Sequence, residues 1–202
     1  MGRLTLLYNM KNRKIKFKGF TLIELMVATS IFVVIMLASM GSLFVLLDAA
    51  KNSKALRFSM DNVNFAMESM TRSIRMGKTY VCLREGEQIG LEELPGSGQD
   101  CREGGTLLAF FPQGVTDHII IYKIEDRQDH STRTLKKCTP ESGCVEIVSS
   151  NVDVKRLKFF TNGAEEDSGI QPSVYIIMEG TVMVKEEAVS FSIQTLASMR
   201  NL

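Results

Sequence analysis

The chain has 202 residues, 45% of them apolar and 23% charged, which leaves room for one ordinary domain with an appendage and excludes wholesale disorder. Its formal net charge of +1 excludes an overall basic field of the kind that gathers nucleic acid. That near-neutrality hides an asymmetry: residues 1–19 hold six basic side chains and no acid, whereas the remaining 183 hold 18 basic against 23 acidic. After the basic segment, the only formal charge from Phe20 to Leu47 is Glu24, and Leu25–Leu47 is a 23-residue run with none. As a helix that run is about 35 Å long, enough to cross a bilayer core of about 30 Å. The basic flank Lys11–Lys18 would keep the N-terminus in the cytoplasm and place everything after Asp48 outside it. The apolar core is too long for an ordinary secretory signal, and no A-x-A cleavage site follows Leu47.

The junction Lys18-Gly19-Phe20-Thr21-Leu22-Ile23-Glu24 resembles the prepilin-type signal of type IV pilins and pseudopilins. The resemblance covers roughly residues 11–47: basic leader, Gly, Phe, the Thr-Leu-Ile-Glu segment and the apolar helix. It implies three zones: a cytoplasmic leader over 1–19, a long helix over 20–77 whose part 20–47 crosses the membrane, and an extracytoplasmic β-rich head over 78–202. It further implies cleavage after Gly19 by a prepilin peptidase that also methylates the new amine of Phe20. Glu24 is then an assembly residue. An acid inside an inserted helix costs about 2.5–3.5 kcal/mol near the centre, less near the interface. Its implied return is to neutralise the cut amine of a neighbouring subunit and so set axial register. The partners implied are the peptidase, other pilin or pseudopilin subunits met through the N-terminal helix, and the lipid of a bacterial inner membrane.

Beyond the apolar run, Ala49, Ser53, Leu56, Met60, Val63, Met67, Met70 and Ile74 keep a seven-residue repeat. Lys51, Lys54, Arg57, Asp61, Glu68, Arg72 and Arg75 lie between them and are expected to face solvent. No proline interrupts from Phe20 to Met76, and Gly77 offers a stop, so one helix of about 85 Å is expected. The stripe is read as the seat of a globular head. After Gly77 the period changes, and strands are expected at 106–111, 118–124, 145–149, 154–160, 174–184 and 188–199. Turns are expected at Thr161-Asn162-Gly163 and Glu186-Glu187, and an irregular connection at 84–105. One long helix followed by strands is an α+β layout, in keeping with the antiparallel sheet of pilin heads. The tail Gln194–Asn201 is similar to that of J-type minor pseudopilins.

Cys82, Cys101, Cys138 and Cys144 all fall on the extracytoplasmic side, where disulfides persist. Three pairings are open. The local one, Cys82–Cys101 with Cys138–Cys144, closes two irregular loops and is worth about 2–3 kcal/mol per bridge. Zinc lacks a C-x-x-C pair and suitably placed histidines. His118, beside Asp117, and His130, after Asp129, read as structural or solvated. The acid pairs Glu92-Glu93 and Glu186-Glu187 read as hydrated faces, and Glu165-Glu166-Asp167 lacks the ordered ligand spacing of a Ca²⁺ loop. No catalytic, phosphate-binding or dinucleotide motif occurs, so no enzyme and no cofactor is expected. The resulting reading is a structural subunit, of minor rank because of the irregular stretches 84–105 and 162–172. The presence of Glu24 argues against a K-type tip subunit, which typically lacks that acid. The competing reading is an uncleaved, membrane-anchored binding module or enzyme.

Overall fold

The computed structural model describes residues 19–84, 86–87, 89, 94, 96–114, 118–128, 130–165, 167–185 and 187–199. The leader up to Lys18, Glu92-Glu93, Pro95, Asp117, Asp129, Glu166, Glu186 and the last residues of the tail lie outside the described residues. The chain divides into two compact units, Met1–Asp48 and Ala49–Leu202. A single helix, α1 (Leu22–Arg75), contributes to both.

In the first unit every residue from Gly19 to Asp48 is exposed. The helix there has the length and mean hydropathy (2.5) to cross a membrane, with none of that window buried inside the protein. In the second unit α1 buries Ser59, Val63, Ala66, Met67, Met70, Thr71 and Ile74. The seven-residue stripe therefore holds from Val63 to Ile74, with Leu56 and Met60 partly buried against the core and Ala49 and Ser53 exposed. Ser59, Ala66 and Thr71 widen it, because a stripe facing a sheet needs more than the two positions per heptad of a coiled-coil seam. The seven charged residues expected in solvent are all exposed.

Among the described residues nine strands follow: β1 (Gly77–Leu83), β2 (Cys101–Gly105), β3 (Leu107–Pro112), β4 (Ile120–Asp126), β5 (Arg133–Thr139), β6 (Gly143–Glu146), β7 (Val152–Asn162), β8 (Ser173–Val184) and β9 (Glu187–Ser198). They form two antiparallel sheets, sheet A in the order β1-β3-β4-β5-β6 and sheet B in the order β2-β7-β8-β9. With the helix this is an α+β fold of pilin-like layout. The principal core joins the α1 stripe to Tyr80, Leu108, Phe110, Tyr122 and Leu135 of sheet A and to Leu157, Phe159, Ile176, Met178 and Phe191 of sheet B. Phe110 lies 5.9 Å from Tyr80 and 6.1 Å from Tyr122, ring centre to ring centre.

The helix ends at Arg75 because the chain is captured there. Gly77 carries no left-handed φ; a Cβ on it would stand 2.4 Å from the Phe110 ring, so the glycine serves close approach and not helix termination by conformation. Two residues on, β1 bulges between Lys78 and Val81, with Thr79 at φ 55°. The bulge turns Tyr80 inward, and its hydroxyl donates to the carbonyls of Ile74 (2.7 Å) and Gly77 (2.9 Å). A buried phenol thus satisfies a helix-end carbonyl, and burial raises its proton affinity above the usual tyrosine range.

Three expectations are corrected. The stretch 84–105 is not wholly irregular: Cys101–Gly105 forms β2, and Ile89 and Leu94 pack on a second small core made by Leu107, Ala109, Ile119, Ile121 and Cys138. The strand expected at 145–149 lies at Gly143–Glu146, drawn back by its pairing with β5, which placed Cys138 opposite Cys144. β5 itself and β1 were absent from the strands expected. A bulge in β7 between Val154 and Arg156 lies against Gly180 of β8, where an added Cβ would fall 2.4 Å from the Asp153 carbonyl oxygen. Only glycine fits that approach.

Candidate processing and assembly site

The site begins at Gly19, around which a Cβ would meet no atom within 4 Å, followed by Phe20 at 83% exposure. Thr21 precedes the first helical residue, and its carbonyl accepts the first helical bond from the Leu25 N–H at 3.2 Å. The Glu24 N–H donates to Thr21 Oγ1 at 3.3 Å, while the Thr21 N–H points back to Glu24 Oε2 at 3.5 Å. This is a reciprocal capping box, satisfying two donors at the helix start. Sequence reasoning read Glu24 only as an assembly residue and missed its local work, although Thr-x-x-Glu before an apolar run is the signature of such a cap. The carboxylate also places negative charge at the positive end of the helix macrodipole. Its second oxygen, Oε1, has no partner among the described residues.

Past the cap, the side chains of Leu22, Ile23, Leu25, Met26 and their successors through Leu47 stand about half to four-fifths exposed. Burying a side chain of this kind is worth about 1.5–3 kcal/mol, so a run of them in water is strongly unfavourable and calls for an apolar surround. Further along, Phe58 and Phe65 lie one heptad apart on the face of α1 turned from the head, 72% and 71% exposed. They are large apolar groups that the head leaves uncovered.

In the head, disulfides join Cys82 to Cys101 and Cys138 to Cys144. The first ties β1 of sheet A to β2 of sheet B; the second closes the β5–β6 hairpin. Polar contacts hold the helix to the head: the Ser149 N–H donates to Asn62 Oδ1 at 2.7 Å, and the Asn151 amide donates to the Ser59 hydroxyl. The same loop is gripped by Arg127, whose guanidinium donates to the carbonyls of Ser149, Ser150 and Val152 and pairs with Glu146 at 3.1 Å. Asp153 accepts the Arg133 N–H at 2.8 Å and pairs with Lys155. Burial works against its charge, but those donors outweigh it and hold its carboxyl below the usual aspartate range. Glu125, bonded to Lys136 at 3.0 Å with Lys123 nearby, is also lowered. Among the described residues, no group of three or more His, Cys, Asp or Glu is placed to hold a metal ion.

Residues 14–40 match the prokaryotic N-terminal methylation motif. The chain therefore carries the type IV pilin-like signal, and the matched segment runs from the basic leader across Gly19, Phe20 and the cap into the apolar half of α1. Neither the curated proteins nor the solved structures yield a match to the chain. The methylation motif implies processing by a prepilin peptidase and assembly with pilin subunits, and with the apolar helix it fits an inner-membrane protein.

Proposed function

We propose that the chain is a non-catalytic, pilin-like structural subunit, cut between Gly19 and Phe20 by a prepilin peptidase that methylates the Phe20 amine. The leader would end at Gly19, the membrane segment at Leu47 and the long helix near Gly77, with the disulfide-stapled head on the extracytoplasmic side. The single observation that carries this reading is the methylation motif lying across that junction at the start of α1. In this reading Glu24 accepts the amine of a neighbouring subunit's Phe20 through the oxygen that the cap leaves unused. Subunits leaving the bilayer then exchange lipid around residues 22–47 for one another's helices, and Phe58 and Phe65 extend that contact beyond the membrane. The machine is a type IV pilus or a secretion pseudopilus, and the rank within it is minor. The loop after β7 and the J-like tail support the rank; the stretch 84–105 supports it less than its sequence implied, since part of it is folded onto sheet A.

The deciding experiment is mass spectrometry of the mature N-terminus. The expected result is N-methylated Phe20, with Gly19→Leu leaving the 202-residue precursor uncut. An intact Met1 or Gly2 on the exported protein would overturn the reading in favour of an uncleaved anchor. Glu24→Val is expected to be cut normally yet fail to enter filaments. Quantitative proteomics of sheared filaments tests the rank, since a most-abundant component is not a minor one.

A further inference from the structure

The two sheets end in four strands, β1 and β6 in sheet A and β2 and β9 in sheet B. Three of these edges are protected. β1 is bulged and met by Gln99, whose N–H donates to the Tyr80 carbonyl at 2.8 Å. β2 has five residues, a register shift, two charged side chains and the Cys82–Cys101 staple. β6 has four residues, closed by Cys138–Cys144 and anchored through Glu146 to Arg127. β9 has none of these devices. It is twelve residues long, pairs with β8 throughout without a register shift, and carries no charge and no proline from Ala188 to Met199. Its outward backbone groups have no partner among the described residues. A long, regular, uncharged edge of this kind is a template for another strand.

Beside the edge runs an open cleft of about 450 Å³, bounded by Met67, Glu68, Arg72 and Arg75 of α1 and by Ile193 and Thr195 of β9. A strand added to β9 would lie about 4.8 Å from it, so alternate side chains would point into this cleft. Glu68 and Arg72 are paired at 3.0 Å, whereas Arg75 is exposed and has no ion-pair partner among the described residues. The cleft thus has an apolar floor at Met67 and one unanswered cation. A second copy's β9 does not supply the missing charge, because its one acid, Glu187, is its first residue.

We infer that the free edge of β9 docks one extended segment of a different protein. That segment is a strand of up to twelve residues, the length of β9, uncharged except for a carboxylate that meets Arg75. Main-chain hydrogen bonds supply the attachment and the cleft supplies the selection. This docking is independent of whether the chain enters a filament.

The test uses the full chain in detergent micelles and a labelled peptide of alternating Thr and Val, matched in length to β9, with one central Glu; a second peptide has Lys in its place. The Glu peptide is expected to bind saturably and to slow amide exchange at 187–198, and the Lys peptide to bind about tenfold more weakly. Arg75→Glu should reverse that preference. Thr195→Lys, which adds a second cation to the cleft, should tighten the Glu peptide and weaken the Lys peptide further while the thermal transition of the head is retained. Absent binding, exchange protection confined to other strands, or a preference unmoved by Arg75→Glu would overturn the inference. So would protection of β9 in the protein alone together with a sedimenting dimer, which would assign the edge to a second copy.

Discussion

The two halves of α1 differ in how many apolar side chains they hold, 20 of the 26 residues in 22–47 against 7 of the 16 in 59–74, and they reach opposite fates. From Leu22 to Leu47 the apolar residues go all the way round and every one is exposed; from Ser59 to Ile74 all but Phe65 fall on the face turned to the head, where they are buried or partly buried. What separates the halves is amount and arrangement together. Periodic apolar residues need only a partner on one side, which the chain supplies with its own sheets. Residues that are apolar all round need an apolar medium, which a single chain does not supply. The polar spacers Lys51, Lys54, Arg57 and Asp61 mark the change.

The sharpest way to break this comparison is to place an acid in each half. Ile74→Asp puts an unpaired charge in the core, costs about 4 kcal/mol or more, and should remove the cooperative melt of the head. Val34→Asp should leave that melt unchanged and instead weaken retention in the membrane fraction. Equal damage to the head from both would show that the halves are not independent. The next effect belongs to the disulfides. Replacing Cys82 and Cys101 by Ser should lower stability by about 3 kcal/mol, and replacing Cys138 and Cys144 by about 2 kcal/mol, because the first bridge closes the longer loop. Chemical denaturation of the two variants measures the difference, and a reversed order would locate the strain elsewhere than in chain entropy.

A smaller effect is expected at the helix start. Thr21→Ala removes the cap and should cost about 1 kcal/mol, seen as faster amide exchange at Ile23 and Glu24 with no change in the melt of the head. The smallest effect is the acid response. Asp153 and Glu125 have carboxyls lowered by folding, so their contribution is fully present above the ordinary carboxylate range near pH 4 and is lost as pH falls through the lowered values. Melts between pH 6 and 2 should therefore fall at the acid end, with Asp153→Asn flattening that fall by no more than about 1 kcal/mol. A rise in stability on acidification would contradict the ion pairing of both groups.

The halves also differ in how plainly the sequence announces them. The helix, its buried stripe and the strands β3, β4, β7, β8 and β9 follow from spacing, because each has enough apolar residues for a period to be seen. β5 (Arg-Thr-Leu-Lys-Lys-Cys-Thr) and β2 (Cys-Arg-Glu-Gly-Gly) do not: their residues are chosen by cross-strand neighbours and by disulfide partners on other strands. Tertiary context overrides local propensity there. At the candidate site, the Gly19-Phe20 junction is visible as a string of residues, and so was the Thr21–Glu24 box once helix-start chemistry is applied to it. The Arg127 grip was not legible, since nothing in the sequence brings residue 127 to the carbonyls of 149–152.

That grip gives the head a mechanical character. Ser59 and Asn62 sit on the helix flank and hold Asn151 and Ser149; those carbonyl-bearing turns are in turn held by one guanidinium rooted beside β4. A pull along this stretch of helix is therefore shared between sliding apolar contacts and a set of polar ties loaded side by side. Ties loaded together yield at higher force than ties peeled one after another. Severing a single side chain, Arg127, would loosen the loop at its root and turn a shared load into a sequential one.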